Sequence, residues 1–142
     1  MNVRPDRLAS RKEAPVAMTL IVEDNPSFRL SLKEVLRTRF PEMAVAEAEN
    51  SEEAFASIER LKPDLMFVDI RLPGLNGLEL AKHVRKAHAD LGIVILTNYD
   101  LPEFREVAYQ YGVNYFFSKS SSSMEEILAA VSAILQKKGE PR

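Results

Sequence analysis

The sequence predicts an α/β domain, a five-stranded parallel sheet with helices on both faces, and three observations carry that prediction. Short apolar runs alternate with stretches of helical periodicity, which implies parallel strands joined by right-handed crossovers. The runs Leu65-Met66-Phe67-Val68 and Gly92-Ile93-Val94-Ile95-Leu96 are apolar without alternation, as strands buried on both faces are. Nearly every run ends in a polar or charged residue, so the carboxyl edge of the sheet, where open α/β sheets bind ligands, collects the chemically capable side chains. The order 2-1-3-4-5, common among sheets of this kind, makes the first and third strands neighbours.

In chain order, residues 1–17 read as a flexible N-terminal tail of mixed charge containing Pro5 and Pro15. Met18 to Val22 is the first strand, delivering Glu23 and Asp24, and Pro26 suits the first turn of the helix that follows. That helix places Phe28, Leu32, Val35 and Leu36 on one face and ends before Pro41. A weak strand spans Met43 to Ala48, and Asn50 or Ser51 caps a helix running to Leu61. The central strand then runs from Leu65 into Asp69 and breaks at Pro73-Gly74. Leu75, Leu78, Ala81 and Val84 mark a third helix fading near His88, the fourth strand ends in Thr97-Asn98, and Pro102 opens a helix that Gly112 stops. Tyr115 to Phe117 is the fifth strand, running into Ser118-Lys119. Ser123 with Glu126 forms a capping box for a last helix, finished by Lys137, Lys138 and Gly139. The domain thus covers 18–138, with a short tail at 139–142.

Composition narrows the function classes. A chain of 142 residues is the size of one domain, and with 28% charged residues and a net charge of -2 it has no polyanion-binding signature, so direct nucleic-acid binding is not expected. With no cysteine, disulfides and thiolate metal sites are excluded, and a cytoplasmic location is expected. No apolar run reaches the roughly 20 residues of a membrane span. His83 and His88 share one helix without partner ligands and read as surface residues.

In the predicted strand order Asp24 and Asp69 face each other, and Glu23 adds a third carboxylate. Their repulsion calls for a shared proton or a hard divalent cation, and an all-oxygen donor set points to Mg²⁺. Thr97 and Lys119 end the fourth and fifth strands on the same rim, a hydroxyl and a cation suited to an anionic group on Asp69.

These residues resemble the receiver domains of two-component response regulators over about Met18 to Lys138. Glu23 and Asp24 match the family's acidic pair, Asp69 its phosphoacceptor, Thr97 its hydroxyl residue, Lys119 its lysine and Phe116 its aromatic switch, and Pro73 and Gly77 stand at the usual distances. The resemblance implies the flavodoxin-like receiver fold and a signalling domain rather than an enzyme, one that assists its own phosphorylation and dephosphorylation. Asp69 would take a phosphoryl group from a sensor histidine kinase or phosphotransfer protein, with Mg²⁺ held by Asp24, Asp69 and the Arg71 backbone carbonyl, and with Glu23 acting through water. Thr97 would move to the phosphoryl group, Phe116 would turn inward, and the face of the fourth helix, fifth strand and fifth helix would change its affinity for an output protein or a second copy.

Several positions depart from the family pattern. Asn98 replaces a small residue and narrows access to Asp69, Ser120 replaces a frequent proline and loosens its loop, and Arg71 and Tyr99 flank the entrance and prolong the phosphorylated state. A haloacid-dehalogenase-like phosphatase would need a second acid where Arg71 stands, and Glu23-Asp24 would repel the phosphate of a flavin in a flavodoxin-like carrier. The favoured expectation is a stand-alone receiver signalling by protein contact. Its alternatives are the receiver portion of a DNA-binding regulator and a degenerate receiver that binds partners without phosphorylation.

Overall fold

The computed structural model describes residues 17–139; the expected tails lie outside this range apart from Ala17 and Gly139. The elements are β1 (Met18–Val22), α1 (Pro26–Arg39), β2 (Ala44–Ala48), α2 (Ser51–Leu61), β3 (Leu65–Val68), α3 (Gly77–Ala87), β4 (Gly92–Thr97), α4 (Pro102–Gln110), β5 (Tyr115–Ser118) and α5 (Met124–Gly139). All strands are parallel in the order β2-β1-β3-β4-β5, as predicted. Because successive side chains point to opposite faces, the unbroken apolar runs feed two cores at once. Met66, Val68, Ile93 and Ile95 face the layer containing Ala54, Ile58, Leu80 and Val84 of α2 and α3. Leu65, Phe67, Val94 and Leu96 face Leu32 and Leu36 of α1 and Ile127 and Val131 of α5.

Side-chain caps set most helix starts. The side-chain oxygens of Asn25, Asn50, Asn76 and Ser123 accept from the amides of Phe28, Glu53, Glu79 and Glu126 at 3.0, 2.8, 3.0 and 3.1 Å. Glu126 accepts in return from the Ser123 amide at 2.8 Å, completing the predicted capping box. One start differs from expectation. Leu75 lies in the loop before α3, because Asn76 caps the helix and the Leu75 amide is bound by Ser51 Oγ at 2.9 Å. Apolar spacing extrapolated one step too far, and the cap decided the boundary. The serine loop, expected to be loose, is stitched by its own hydroxyls: Ser118 Oγ accepts from the Ser120 and Ser121 amides at 3.2 Å each, and Ser122 Oγ accepts from the Ser118 amide at 3.0 Å.

Register positions the site. Val22 pairs with Val68 and Thr97 with Ser118, so the residues that follow each strand emerge side by side at one edge.

Candidate functional site

The carboxyl edge brings Glu23, Asp69 and Lys119 into one contact. Glu23 and Asp69 are buried, and the Lys119 ammonium, its side chain 10% exposed, lies between them at 2.8 Å from Glu23 Oε1 and 2.9 Å from Asp69 Oδ2. Backbone pairing holds the three in place, since the Glu23 amide donates to Ala48 O at 2.9 Å, Asp69 to Val22 O at 3.2 Å and Lys119 to Thr97 O at 2.8 Å. Sequence reasoning left the carboxylates' repulsion to a proton or a metal. The structure supplies a nearer remedy, because the Lys119 ammonium bridges the pair and offsets part of their repulsion.

Burial pushes the Glu23 carboxyl above its ordinary range, against the bonds it accepts from Lys119 and from the Asn25 amide. Burial alone would lower the Lys119 ammonium, but its bonds to Glu23 and Asp69 outweigh desolvation and raise it. The lysine is therefore a fixed cation at neutral pH.

Asp24 is exposed, with no hydrogen bond or ion pair among the described residues. Asp69 Oδ1 has one weak contact, from the Arg71 amide at 3.4 Å. Among the described residues no group of three His, Cys, Asp or Glu is arranged to hold a metal. Asp24 and Asp69, two carboxylates following neighbouring strands, are donors of the kind Mg²⁺ takes, since that ion keeps several waters and needs only one or two carboxylates.

Thr97 is buried, and its hydroxyl accepts from the Tyr99 amide at 3.2 Å, leaving its proton free to donate elsewhere. Arg71 Nη1 donates to the Tyr99 hydroxyl and its guanidinium lies 5.3 Å from the centre of that ring, so the two expected entrance residues stand together. They rim a cleft of about 420 Å³ lined by Ile70, Leu72, Leu78 and Phe104. Asn98 is exposed and makes no side-chain hydrogen bond among the described residues, so nothing ties it over Asp69. Gly77 is required by space: a Cβ there would lie 2.0 Å from Asp69 O, while its amide donates to Ile70 O at 2.7 Å.

Phe116 lies on β5, the strand expected to carry the aromatic switch residue. Its ring is already inward at 2% exposure, stacked 4.7 Å from the Arg105 guanidinium, which also donates to Phe116 O at 3.0 Å and pairs with Asp100 at 2.8 Å. Sequence reasoning missed Arg105, since nothing local says that α4 covers β5. It also read Phe28 as a plain core residue, although that ring lies 4.3 Å from the Lys119 ammonium. A ring one turn into the helix after the acidic pair was the available signal.

Residues 19–132 match the family model for the response regulator receiver domain, so the chain belongs to that family, the receiver domains of two-component response regulators. The transcriptional regulatory protein YdfI of Bacillus subtilis is 32% identical over 104 residues, covering 73% of this chain and 48% of that protein. The crystal structure of a LuxR-family two-component response regulator from Aurantimonas superposes with a TM-score of 0.78 at 31% identity, covering 87% of each chain. The BeF3-activated N-terminal receiver domain of Klebsiella pneumoniae RstA gives 0.77 at 27%, covering 84% of this chain and 98% of that one. The matched stretch spans between 25% and 57% of the length of the curated relatives. No helix among the described residues is long and apolar enough to cross a membrane.

Proposed function

We propose that Asp69 accepts a phosphoryl group and that the domain is a phosphorylation switch. The Lys119 bridge carries this reading, because it sets an ammonium 2.9 Å from a buried carboxylate whose other oxygen is nearly unengaged. That oxygen attacks phosphorus in line. The phosphorus–nitrogen bond to a phosphohistidine on a sensor histidine kinase or phosphotransfer protein breaks, and its electron pair leaves on the imidazole nitrogen. With acetyl phosphate, acetate leaves instead.

Lys119 turns from Asp69 Oδ2 to a phosphoryl oxygen, exchanging one charge-assisted bond for another. Thr97 donates its free hydroxyl proton to a second oxygen. Asp24, Asp69 and the Arg71 carbonyl would hold Mg²⁺, with Glu23 acting mainly through water, and the ion would supply charge neutralisation for the remaining oxygens. Arg71 and Tyr99 restrict the water that would hydrolyse the product.

Output passes through the α4, β5 and α5 face, where Leu101 and Tyr109 are 46% and 47% exposed and available to a protein partner or a second copy. Since Phe116 is already inward, phosphorylation fixes an arrangement that Arg105 holds beforehand. The domain acts as a signalling switch of the cytoplasm rather than as an enzyme. A second reading, in which it is the receiver part of a longer DNA-binding regulator, is favoured by the greater length of the relatives and by the name of YdfI.

Intact mass after incubation with acetyl phosphate and Mg²⁺ tests the first reading. One added phosphoryl group is expected, absent from Asp69→Asn and from a sample with EDTA. No addition to the wild type overturns phosphoacceptance and leaves a receiver that works by binding alone.

A further inference from the structure

We propose that Phe28 is a positioning residue for phosphoryl transfer, its ring face holding the Lys119 ammonium at Asp69; the inference rests on the phosphoacceptor reading above. The ring centre lies 4.3 Å from Nζ, within the range in which an aromatic quadrupole attracts a cation. A closed circuit of contacts sets that distance. Glu23 Oε1 accepts from Lys119 at 2.8 Å and Oε2 from the Asn25 amide at 3.0 Å; Asn25 Oδ1 then caps the Phe28 amide at 3.0 Å, and the Phe28 ring returns to Lys119. The ring is therefore placed by the same residue that shares the ammonium with Asp69.

The geometry assigns a role that neither carboxylate can fill. Of the three N–H donors of the ammonium, two go to Glu23 and Asp69, and the third is left for an arriving phosphoryl oxygen. The ring face holds the ammonium by a weaker attraction that fixes no single N–H direction and lets it turn between oxygens without returning to water. Arg29, the next residue of α1, donates to Glu23 O at 2.6 Å and anchors the start of this turn independently of the ring. Phe28 also packs against the core on the α1 and α5 side, so loss of bulk has to be separated from loss of the ring face.

Fluorinated phenylalanines placed at Phe28 make that separation, because each fluorine drains the ring face while shape stays nearly constant. The readout is the rate of phosphorylation by acetyl phosphate with Mg²⁺, with thermal midpoints recorded alongside. A stepwise fall reaching roughly fivefold for the trifluoro ring is expected from the size of a cation–π contact. Phe28→Tyr should stay within about twofold of wild type and Phe28→Leu should fall with the trifluoro ring. A flat fluorine series, with Phe28→Leu slow or not, overturns the inference and leaves Phe28 a packing residue while wild-type phosphorylation stands. A wild type that takes no phosphoryl group overturns the phosphoacceptor reading and the inference with it.

Discussion

The two edges of the sheet each hold a partly buried cation, and they use it in opposite ways. At the amino edge, Arg85 donates from Nε to Gly112 O at 3.0 Å, from Nη1 to His88 O and Ala89 O at 2.9 Å each, and from Nη2 to Asn114 Oδ1 at 2.9 Å. Asn114 Oδ1 also accepts from the Ile93 amide at 2.8 Å. Every acceptor there is neutral and most are backbone, so the guanidinium ties the end of α3, the start of β4 and the turn before β5. At the carboxyl edge, Lys119 spends its contacts on two carboxylates and a ring. Those partners are side chains rather than backbone. A fork bonded to carbonyls is a staple, whereas a point cation shared among side chains is the part that the proposed phosphoryl transfer would reassign.

Breaking the staple should give the largest change. Arg85→Ala removes four hydrogen bonds, two of them to solvent-exposed acceptors, and should cost about 2 kcal/mol, lowering the melting midpoint by about 6 °C. The phosphorylation rate per folded molecule should stay within about twofold, and a larger loss would mean that the edges are coupled. Lys119→Met should show the reverse. Phosphorylation should fall by at least about tenfold, while the midpoint moves less than for Arg85→Ala, because one of the stranded carboxylates can take a proton.

Gly112→Ala sharpens the staple. Gly112 sits at φ +92°, and a Cβ there would lie 2.8 Å from Arg85 Cγ, so about 1–2 kcal/mol of destabilisation is expected in urea titrations. Tyr99→Ala probes the carboxyl edge again. It removes the hydrogen-bonding partner of Arg71 and should speed loss of the phosphoryl group a few-fold, with an unchanged or slower rate counting against an entrance role.

The smallest effect is a pH dependence confined to the carboxyl edge. Glu23 titrates above its ordinary range in the fold, so between the two values the folded chain keeps a proton that the unfolded chain has lost. Stability therefore falls as pH rises through that window, and Glu23→Gln should flatten it. Lys119, raised in the fold, adds stability below the ordinary lysine range and loses it as pH climbs through its folded value. Arg85 stays charged throughout, since burial lowers a guanidinium from a very high starting point.

Much of this was legible in the chain because it is local. Apolar runs without alternation marked β3 and β4, and Asn50 and Ser123 announced their helices by capping chemistry that acts within four residues. Asp69, Thr97 and Lys119 were visible because strand ends in a parallel sheet converge on one edge. The start of α3 was misplaced because an apolar period says nothing about where a cap interrupts it. The Arg85 staple was invisible, since its partners at 88, 89, 112 and 114 share no motif and meet only through packing.

The sequence by itself determined the parallel sheet and the identity of the residues at its carboxyl edge, because hydrophobic periodicity and capping are short-range properties of the chain. Tertiary structure alone decided which charges touch. Lys119 pairs with Glu23 as well as Asp69, Arg105 covers Phe116, and Phe28 faces the ammonium, because each contact joins separate elements across distances that no spacing encodes. Their lengths of a few ångströms follow from how α1 and α4 lie on the sheet, and electrostatic and ring contacts gain their strength only at such lengths.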